Sequence, residues 1–322
     1  MQSKIIYTTY KVKSSTMFKI VNKSIALIKS DGFFIGFLIS LTQYIYHRVL
    51  RPILPGMSYT NYVDGIEYGF IRLAIPRKSF DFLFPRYDLN LKKELGLRLA
   101  HTFLTKKNDR VLIIGGGNGL STVTAARIVG DRGSVTVFDG LTGEDNETFG
   151  VSRILSTAKL NKVDNIVTAN WAFVTDKPVL EDFDLYKNEK TNPPLIHPTS
   201  LPECDVLEMD ANGAELEILE HMTIRPRVII FELEAPFYKS YYKNNTRNPF
   251  EILDLLKDMN YAVIKQTGHE GIDLSSEDLN ELTKIQYDSE EKHVLNSGAK
   301  DSPVLYCVRK DYLNKYLDNN KI

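Results

Sequence analysis

The rhythm of apolar and polar positions changes at about Arg110, where short apolar runs begin to alternate with amphipathic stretches. Val111-Leu112-Ile113-Ile114 is an unbroken apolar run, the pattern of a strand buried on both faces of a parallel sheet. A helix is expected from about Leu120 to Val129, with Gly130 as its C-terminal cap. Ser134 to Phe138 reads as the second strand, Glu147 to Leu160 as a helix, and Asn165 to Thr168 opens the third strand. Asp205 to Met209 is the fourth strand, with a helix through Glu215 to Met222 behind it. Val228 to Phe231 is the fifth, with a helix from Pro249 to Met259. Two last strands, Tyr261 to Ile264 and Val304 to Val308, flank an acidic insertion. Strands alternating with helices predict a doubly wound α/β sheet.

Upstream, Leu91 to Leu104 suits a helix, and residues 60–90 read as short strands and turns interrupted by Pro76 and Pro85. Residues 175–204 form a long polar stretch with five prolines, and loops of that length tend to be functional or disordered. The first 56 residues differ again. Lys4, Lys11, Lys13, Lys19, Lys23, Lys29, Arg48 and Arg51 face a single acid, Asp31, and Met17, Ile20, Val21, Ile25 and Ile28 share one helical face. A basic amphipathic helix of this kind either lies on an anionic membrane surface or caps the folded core. The apolar run from Phe33 to Ile39 falls short of the ~20 residues a spanning helix needs.

Composition narrows the class. Of 322 residues, 43% are hydrophobic and 25% charged, which is ordinary for a globular chain and excludes wholesale disorder. Forty basic against 41 acidic residues leave a net charge of −1, without the basic excess of a general nucleic-acid binder. Two cysteines exclude a disulfide scaffold, and Cys204 and Cys307 lack zinc spacing, so a reduced, cytosolic setting is expected and no metal site.

Gly115-Gly116-Gly117-Asn118-Gly119 joins the first strand to its helix. Glycine there permits positive φ and close approach of a ligand, and the loop ends at a helix N-terminus. The dinucleotide fingerprint G-x-G-x-x-G would need glycine at position 120, which is Leu120. Gly115, Gly117 and Gly119 instead satisfy G-x-G-x-G. Asp139 ends the second strand twenty residues after Gly119, where an acid can accept hydrogen bonds from both ribose hydroxyls of a nucleoside cofactor.

The G-x-G-x-G loop resembles that of class I S-adenosylmethionine methyltransferases. Asp205-Val206-Leu207-Glu208-Met209-Asp210-Ala211-Asn212-Gly213-Ala214-Glu215 and Arg225 to Glu232 resemble the fourth and fifth strands of the FkbM-type family of those enzymes. The resemblance spans about residues 105 to 266, including an asparagine turn near Asn161. It implies a Rossmann-like fold, S-adenosylmethionine as cofactor, O-methylation of a glycan, lipid-linked sugar or natural-product hydroxyl, and adenine beyond the third strand near Ala172. The chain departs from the family pattern at Ile113 (an acid), Glu208 (a lysine) and Asn212 (a glutamate).

In an open α/β sheet the site lies beyond the carboxyl ends of the strands. Asp139, Asp210, Asn212, Glu232 and Glu234 fall there. Asp210 is the first candidate for general base or acceptor-positioning group, or else it caps the next helix. Glu215 acts directly or braces the neighbouring loop. His269 is a second candidate base, His197 a weaker one, and Tyr238, Tyr241 and Tyr242 either stack on a ring substrate or pack internally.

The expectation is therefore a Rossmann-like, doubly wound, mostly parallel seven-stranded α/β sheet with an N-terminal helical extension: residues 1–56 the basic extension, 57–104 connecting strands and helix, 105–310 the methyltransferase domain, and 311–322 a C-terminal helix or tail. Catalytic candidates are Asp210, Glu215 and His269; Gly115, Gly117, Asn118, Gly119, Asp139 and Ala172 would bind the cofactor. The expected partner is a small-molecule or glycan substrate, not nucleic acid. Residues 1–50 would contact the inner membrane surface. An NAD-dependent oxidoreductase and a non-catalytic binding module are the alternatives.

Overall fold

The computed structural model describes Leu41 and residues 60–69, 86–87, 94–140, 149–177, 193–233, 235–242, 247–288 and 302–317. Residue contacts divide the chain into two units, residues 1–62 with 71–89, and residues 63–70 with 90–322. In the first, β1 (Thr60–Val63) runs parallel to a strand at Arg86–Tyr87, with Asn61 opposite Arg86 and Tyr62 opposite Tyr87. The basic segment 1–56, Leu41 apart, lies outside the described residues.

The second unit begins with β2 (Ile66–Gly69); numbering Arg86–Tyr87 as β3, it continues through α1 (Leu95–Leu104), β4 (Arg110–Ile114), α2 (Leu120–Val129), β5 (Ser134–Asp139), α3 (Phe149–Leu160) and β6 (Val167–Trp171). A small parallel pair follows, β7 (Phe173–Val174) and β8 (Leu195–Ile196). Then come β9 (Val206–Met209), α4 (Glu215–His221), β10 (Val228–Glu232), α5 (Ala235–Tyr241), α6 (Glu251–Asp258), β11 (Tyr261–Gly268), α7 (Ser276–Asp288), β12 (Pro303–Arg309) and α8 (Lys310–Leu317).

Seven strands form one sheet in the order β11-β12-β10-β9-β4-β5-β6. β4, β5, β6, β9 and β10 pair in parallel, and β12 runs antiparallel between β10 and β11. This is the doubly wound, mostly parallel α/β fold expected from the apolar rhythm. The last strand turns back between the fifth and sixth, a placement that differs from the 3-2-1-4-5-6 order of dinucleotide-binding sheets.

The period of two along each strand sorts the core into layers. Leu112, Ile114, Leu207, Met209, Ile229 and Phe231 share one layer with Leu216 and Ile218 of α4 and Ile252 and Leu256 of α6. Val111, Ile113, Val135, Val137, Val206 and Ile230 share the other with Leu97 and Leu104 of α1, Ala125 and Val129 of α2, and Ile154 of α3. β9 and β10 are buried at every position, so neither shows polar alternation.

The asparagine turn is a clamp. Asn161 Nδ2 donates to the Glu67 carbonyl at 2.6 Å and its Oδ1 accepts from the Glu67 N–H at 3.2 Å, which pairs the end of α3 with β2. Leu120, where a dinucleotide loop needs glycine, is fully buried against Val63, Ile66, Tyr68 and Val123.

Candidate active site

The glycines of the loop after β4 serve different needs. Gly115, Gly117 and Gly119 all hold positive φ, at 85°, 51° and 79°. A Cβ on Gly115 would stand 1.9 Å from the Asp210 carbonyl oxygen, so this glycine lets the exits of β4 and β9 touch. A Cβ on Gly119 would meet Ile154 Cα and Thr157 Cβ at 3.3 Å, where α3 crosses the start of α2. Packing of the protein on itself requires glycine at both of these positions. At Gly117 the nearest atom to a Cβ would be Glu94 Oε1, at 3.5 Å, an ordinary contact with a side chain rather than a clash. The Asn118 carbonyl accepts from Thr157 Oγ1 at 3.0 Å, which fixes the loop to α3.

Asp139 ends β5 almost wholly buried, and its Oδ2 accepts the Gly117 N–H at 3.2 Å. The acid and the loop, distant in sequence, thus form one structure at the exit of the first two strands. Ala172 is buried, and its N–H donates to the Asp139 carbonyl at 3.3 Å. The Phe173 ring lies where a Cβ on Gly140 would be, 2.4 Å away, closing the wall beyond the acid. Arg153 of α3 joins this neighbourhood: burial pulls its guanidinium below the usual arginine range, while Asp139 and then Glu94 oppose that shift.

The turn after β9 carries the next candidates. The Asp210 N–H donates to the Ile114 carbonyl at 2.8 Å, holding this half-buried residue beside Gly115. Asn212 and Gly213 both hold positive φ, 50° and 98°. Glu215 Oε1 stabilises that turn by accepting from the Ala211 and Gly213 N–H groups at 2.9 and 3.3 Å. Glu215 Oε2 has no hydrogen-bond partner among the described residues, nor has the nearby Tyr238 hydroxyl. Burial pushes the Glu215 carboxyl up from 4.5 to about 7; backbone N–H groups oppose the shift and Glu232 adds to it.

His269, after β11, is tied at both nitrogens. Nδ1 lies 3.0 Å from both carboxylate oxygens of Glu232 at the end of β10, and Nε2 accepts the Glu94 N–H at 3.2 Å. Burial disfavours charge on this ring, yet the hydrogen-bonded Glu232 carboxylate, together with Glu94 and Glu270, holds the ring above its ordinary 6.5. His269 therefore joins Glu232 to the start of α1.

Glu94 and Arg153 were not among the sequence candidates. Reading a continuous helix from Leu91 put Glu94 inside a helix, whereas it is the left-handed residue before α1. Arg153 reads as one more polar position on an amphipathic helix. The remaining candidates have other roles. His197 is exposed and its Nδ1 contacts Thr199 Oγ1 at 2.8 Å. Tyr238 and Tyr241 are buried, and the Tyr241 hydroxyl donates to Glu217 Oε1 at 2.8 Å, so both belong to internal packing. Glu234, residues 141–148 and residues 178–192 lie outside the described residues. Among the described residues, no group of three or more His, Cys, Asp or Glu side chains is placed to hold a metal ion, and no helix is long and apolar enough to cross a membrane.

No family model matches the chain, and no curated protein matches it. Among solved structures, it is similar to a fibrillarin of Aeropyrum pernix crystallised with natively bound S-adenosyl-L-methionine, at 13% identity over 67% of this chain and 74% of that one, with a TM-score of 0.36. It is similar also to the O-methyltransferase TomG of Streptomyces achromogenes in complex with SAM, at 14% identity over 71% and 84% of the two chains, TM-score 0.36. A third is an O-methyltransferase of Bacillus cereus in complex with SAH, at 15% identity over 73% and 93%, TM-score 0.36.

Proposed function

We propose that the chain is an S-adenosylmethionine-dependent methyltransferase that acts on a hydroxyl of a glycan, a lipid-linked sugar or a related natural product. The observation that carries this reading is the buried Asp139 carboxylate hydrogen-bonded to Gly117, a loop glycine whose Cβ position is approached by the Glu94 carboxylate rather than by backbone. The residues fit the cofactor: Asp139 would accept from the ribose hydroxyls, the loop at Gly115, Gly117, Asn118 and Gly119 would border the sugar, and Ala172 would border the adenine. When bound, the cofactor supplies a methyl group on a positively charged sulfur that leaves as a neutral thioether.

Such a displacement gains most from orientation, so the protein's task is to hold the acceptor in line and remove its proton. We assign the proton to the Asp210 carboxylate, at the exit of β9 beside Gly115. Glu215 keeps the Asp210 turn in place through two backbone N–H groups. His269, engaged at both nitrogens, acts as a positioning residue for Glu94. The basic segment 1–50 would bring the enzyme to the inner membrane surface, near a lipid-linked acceptor; retention on anionic but not neutral liposomes supports that part, and loss of retention on both overturns it.

Calorimetry with S-adenosylhomocysteine and with NAD tests the cofactor. Binding of the first alone supports the reading, and binding of NAD alone replaces it with the oxidoreductase alternative. Methyl transfer to a fractionated glycolipid pool then separates an enzyme from a binding module.

A further inference from the structure

Glu94 has a backbone that a side chain disfavours and a carboxylate that does not cap the helix it precedes. It precedes α1 at φ 50° and ψ 27°, and its side chain makes no capping hydrogen bond. The conformation is held from several sides. The Glu94 N–H donates to His269 Nε2 at 3.2 Å, the Gly96 N–H donates to the His269 carbonyl at 2.9 Å, and Glu232 fixes the ring from its other nitrogen. Gly96 adds a close approach to β11, since a Cβ there would stand 2.7 Å from the Gly268 carbonyl oxygen. A disfavoured backbone that its surroundings over-determine is a reason to look for function in where the side chain is aimed.

It is aimed at the glycine loop. Glu94, only 8% exposed, puts Oε1 3.5 Å from the place of a Cβ on Gly117, and Asp139 Oδ2 accepts the N–H of that same glycine. Two carboxylates therefore flank Gly117, and Arg153 interacts with both. A nucleoside held by Asp139 and extending past Gly117 meets Glu94. A pyrophosphate in that place would face two carboxylates against the single guanidinium of Arg153, a net like charge in a poorly solvated setting, whereas an ammonium would gain a charge-assisted hydrogen bond.

We infer that Glu94 receives the α-ammonium of S-adenosylmethionine and selects an amino-acid-bearing nucleoside over a dinucleotide. The inference rests on the cofactor reading above. Its test uses two probes on the full chain by calorimetry: S-adenosylhomocysteine, and 5′-methylthioadenosine, which keeps the ribose and base but lacks the amino-acid end. Wild type should bind S-adenosylhomocysteine at least about tenfold more tightly than 5′-methylthioadenosine. Glu94→Gln should weaken S-adenosylhomocysteine by roughly ten- to hundredfold and leave 5′-methylthioadenosine unchanged. Equal affinity of wild type for the two probes overturns the role of Glu94, and that measurement needs no variant to fold. Equal weakening of both probes by Glu94→Gln, or weakening of neither, overturns it as well. Failure of wild type to bind either probe overturns the cofactor reading itself.

Discussion

The Glu208 carboxylate of β9 and the His101 imidazole of α1 are hydrogen-bonded inside the core, and neither side chain has any exposed surface. Ser121 Oγ of α2 donates to the other Glu208 oxygen at 2.7 Å, and Thr105 Oγ1 lies 2.8 Å from His101 Nδ1. One carboxylate thus joins a central strand to the helix that follows Glu94 and to the helix that follows the glycine loop. Removing one partner of a buried pair leaves the other desolvated and unpaired, which costs about 3–5 kcal/mol, while replacing both with apolar groups is close to neutral. Glu208→Leu should therefore lower the stability measured by urea denaturation by about 3–5 kcal/mol, and adding His101→Phe should restore most of the loss. A double variant less stable than the single one would show that the pair is not the source of the effect.

The loop glycines should separate in a stability measurement. Alanine at Gly115 would drive a Cβ to 1.9 Å from the Asp210 carbonyl oxygen, a backbone atom of the adjoining strand exit that has no room to yield. Alanine at Gly117 meets nothing nearer than Glu94 Oε1 at 3.5 Å, so its cost is that of a left-handed residue, about 1–2 kcal/mol. Thermal unfolding should show Gly115→Ala severely destabilised or unfolded and Gly117→Ala only a few degrees below wild type. Similar losses at both sites would contradict the distinct roles assigned to them.

Glu215 gives the fold a dependence on pH. Burial raises its carboxyl from 4.5 to about 7, against the pull of its backbone hydrogen bonds. Between those values the folded chain keeps a proton that the unfolded chain has released, so stability falls as pH rises from about 4.5 and levels off above about 7. The full shift corresponds to a loss of about 3 kcal/mol. Glu215→Gln keeps an oxygen for the Ala211 and Gly213 N–H groups but has no proton to lose, and its denaturation midpoint should lack that decline. Parallel pH profiles for the two proteins would mean that the carboxyl titrates normally.

Local patterns carried much of this architecture and long-range ones did not. β4 and β10 were legible because strands buried on both faces leave continuous apolar runs. The place of β12, antiparallel between β10 and β11, has no local signature, since strand order depends on pairings across the whole sheet. α7 escaped notice inside the acidic insertion because, among its described side chains, Leu279 and Thr283 are the buried ones, a sparse stripe in a polar sequence. For Tyr238 and Tyr241 of α5 the sequence allows either stacking on a ring substrate or internal packing, and their burial decides for packing. In the site, the glycine loop and Asp139 were visible from spacing alone. Glu94, Arg153 and the His101–Glu208 pair were not, because each takes its meaning from a partner far along the chain. Glu208 had been read as the loss of a family lysine, and its partners on two helices give it a structural role of its own.

Asp139 is where the cofactor reading is most exposed to experiment. Its carboxylate has two tasks in the proposed complex, accepting the Gly117 N–H and accepting from ribose. Asp139→Asn keeps an oxygen for Gly117 and loses the charge, whereas Asp139→Ala loses both. Hydrogen bonds to a charged group are worth about 1.5–3 kcal/mol each, so Asp139→Ala should weaken S-adenosylhomocysteine binding by roughly a hundredfold or more. Asp139→Asn should fall between that variant and wild type, and 5′-methylthioadenosine should weaken in parallel because it carries the same ribose. That parallel loss sets Asp139 apart from Glu94, whose replacement should spare the shorter probe. If Asp139→Ala bound both nucleosides as wild type does, the acid at the end of β5 would serve only to order the glycine loop.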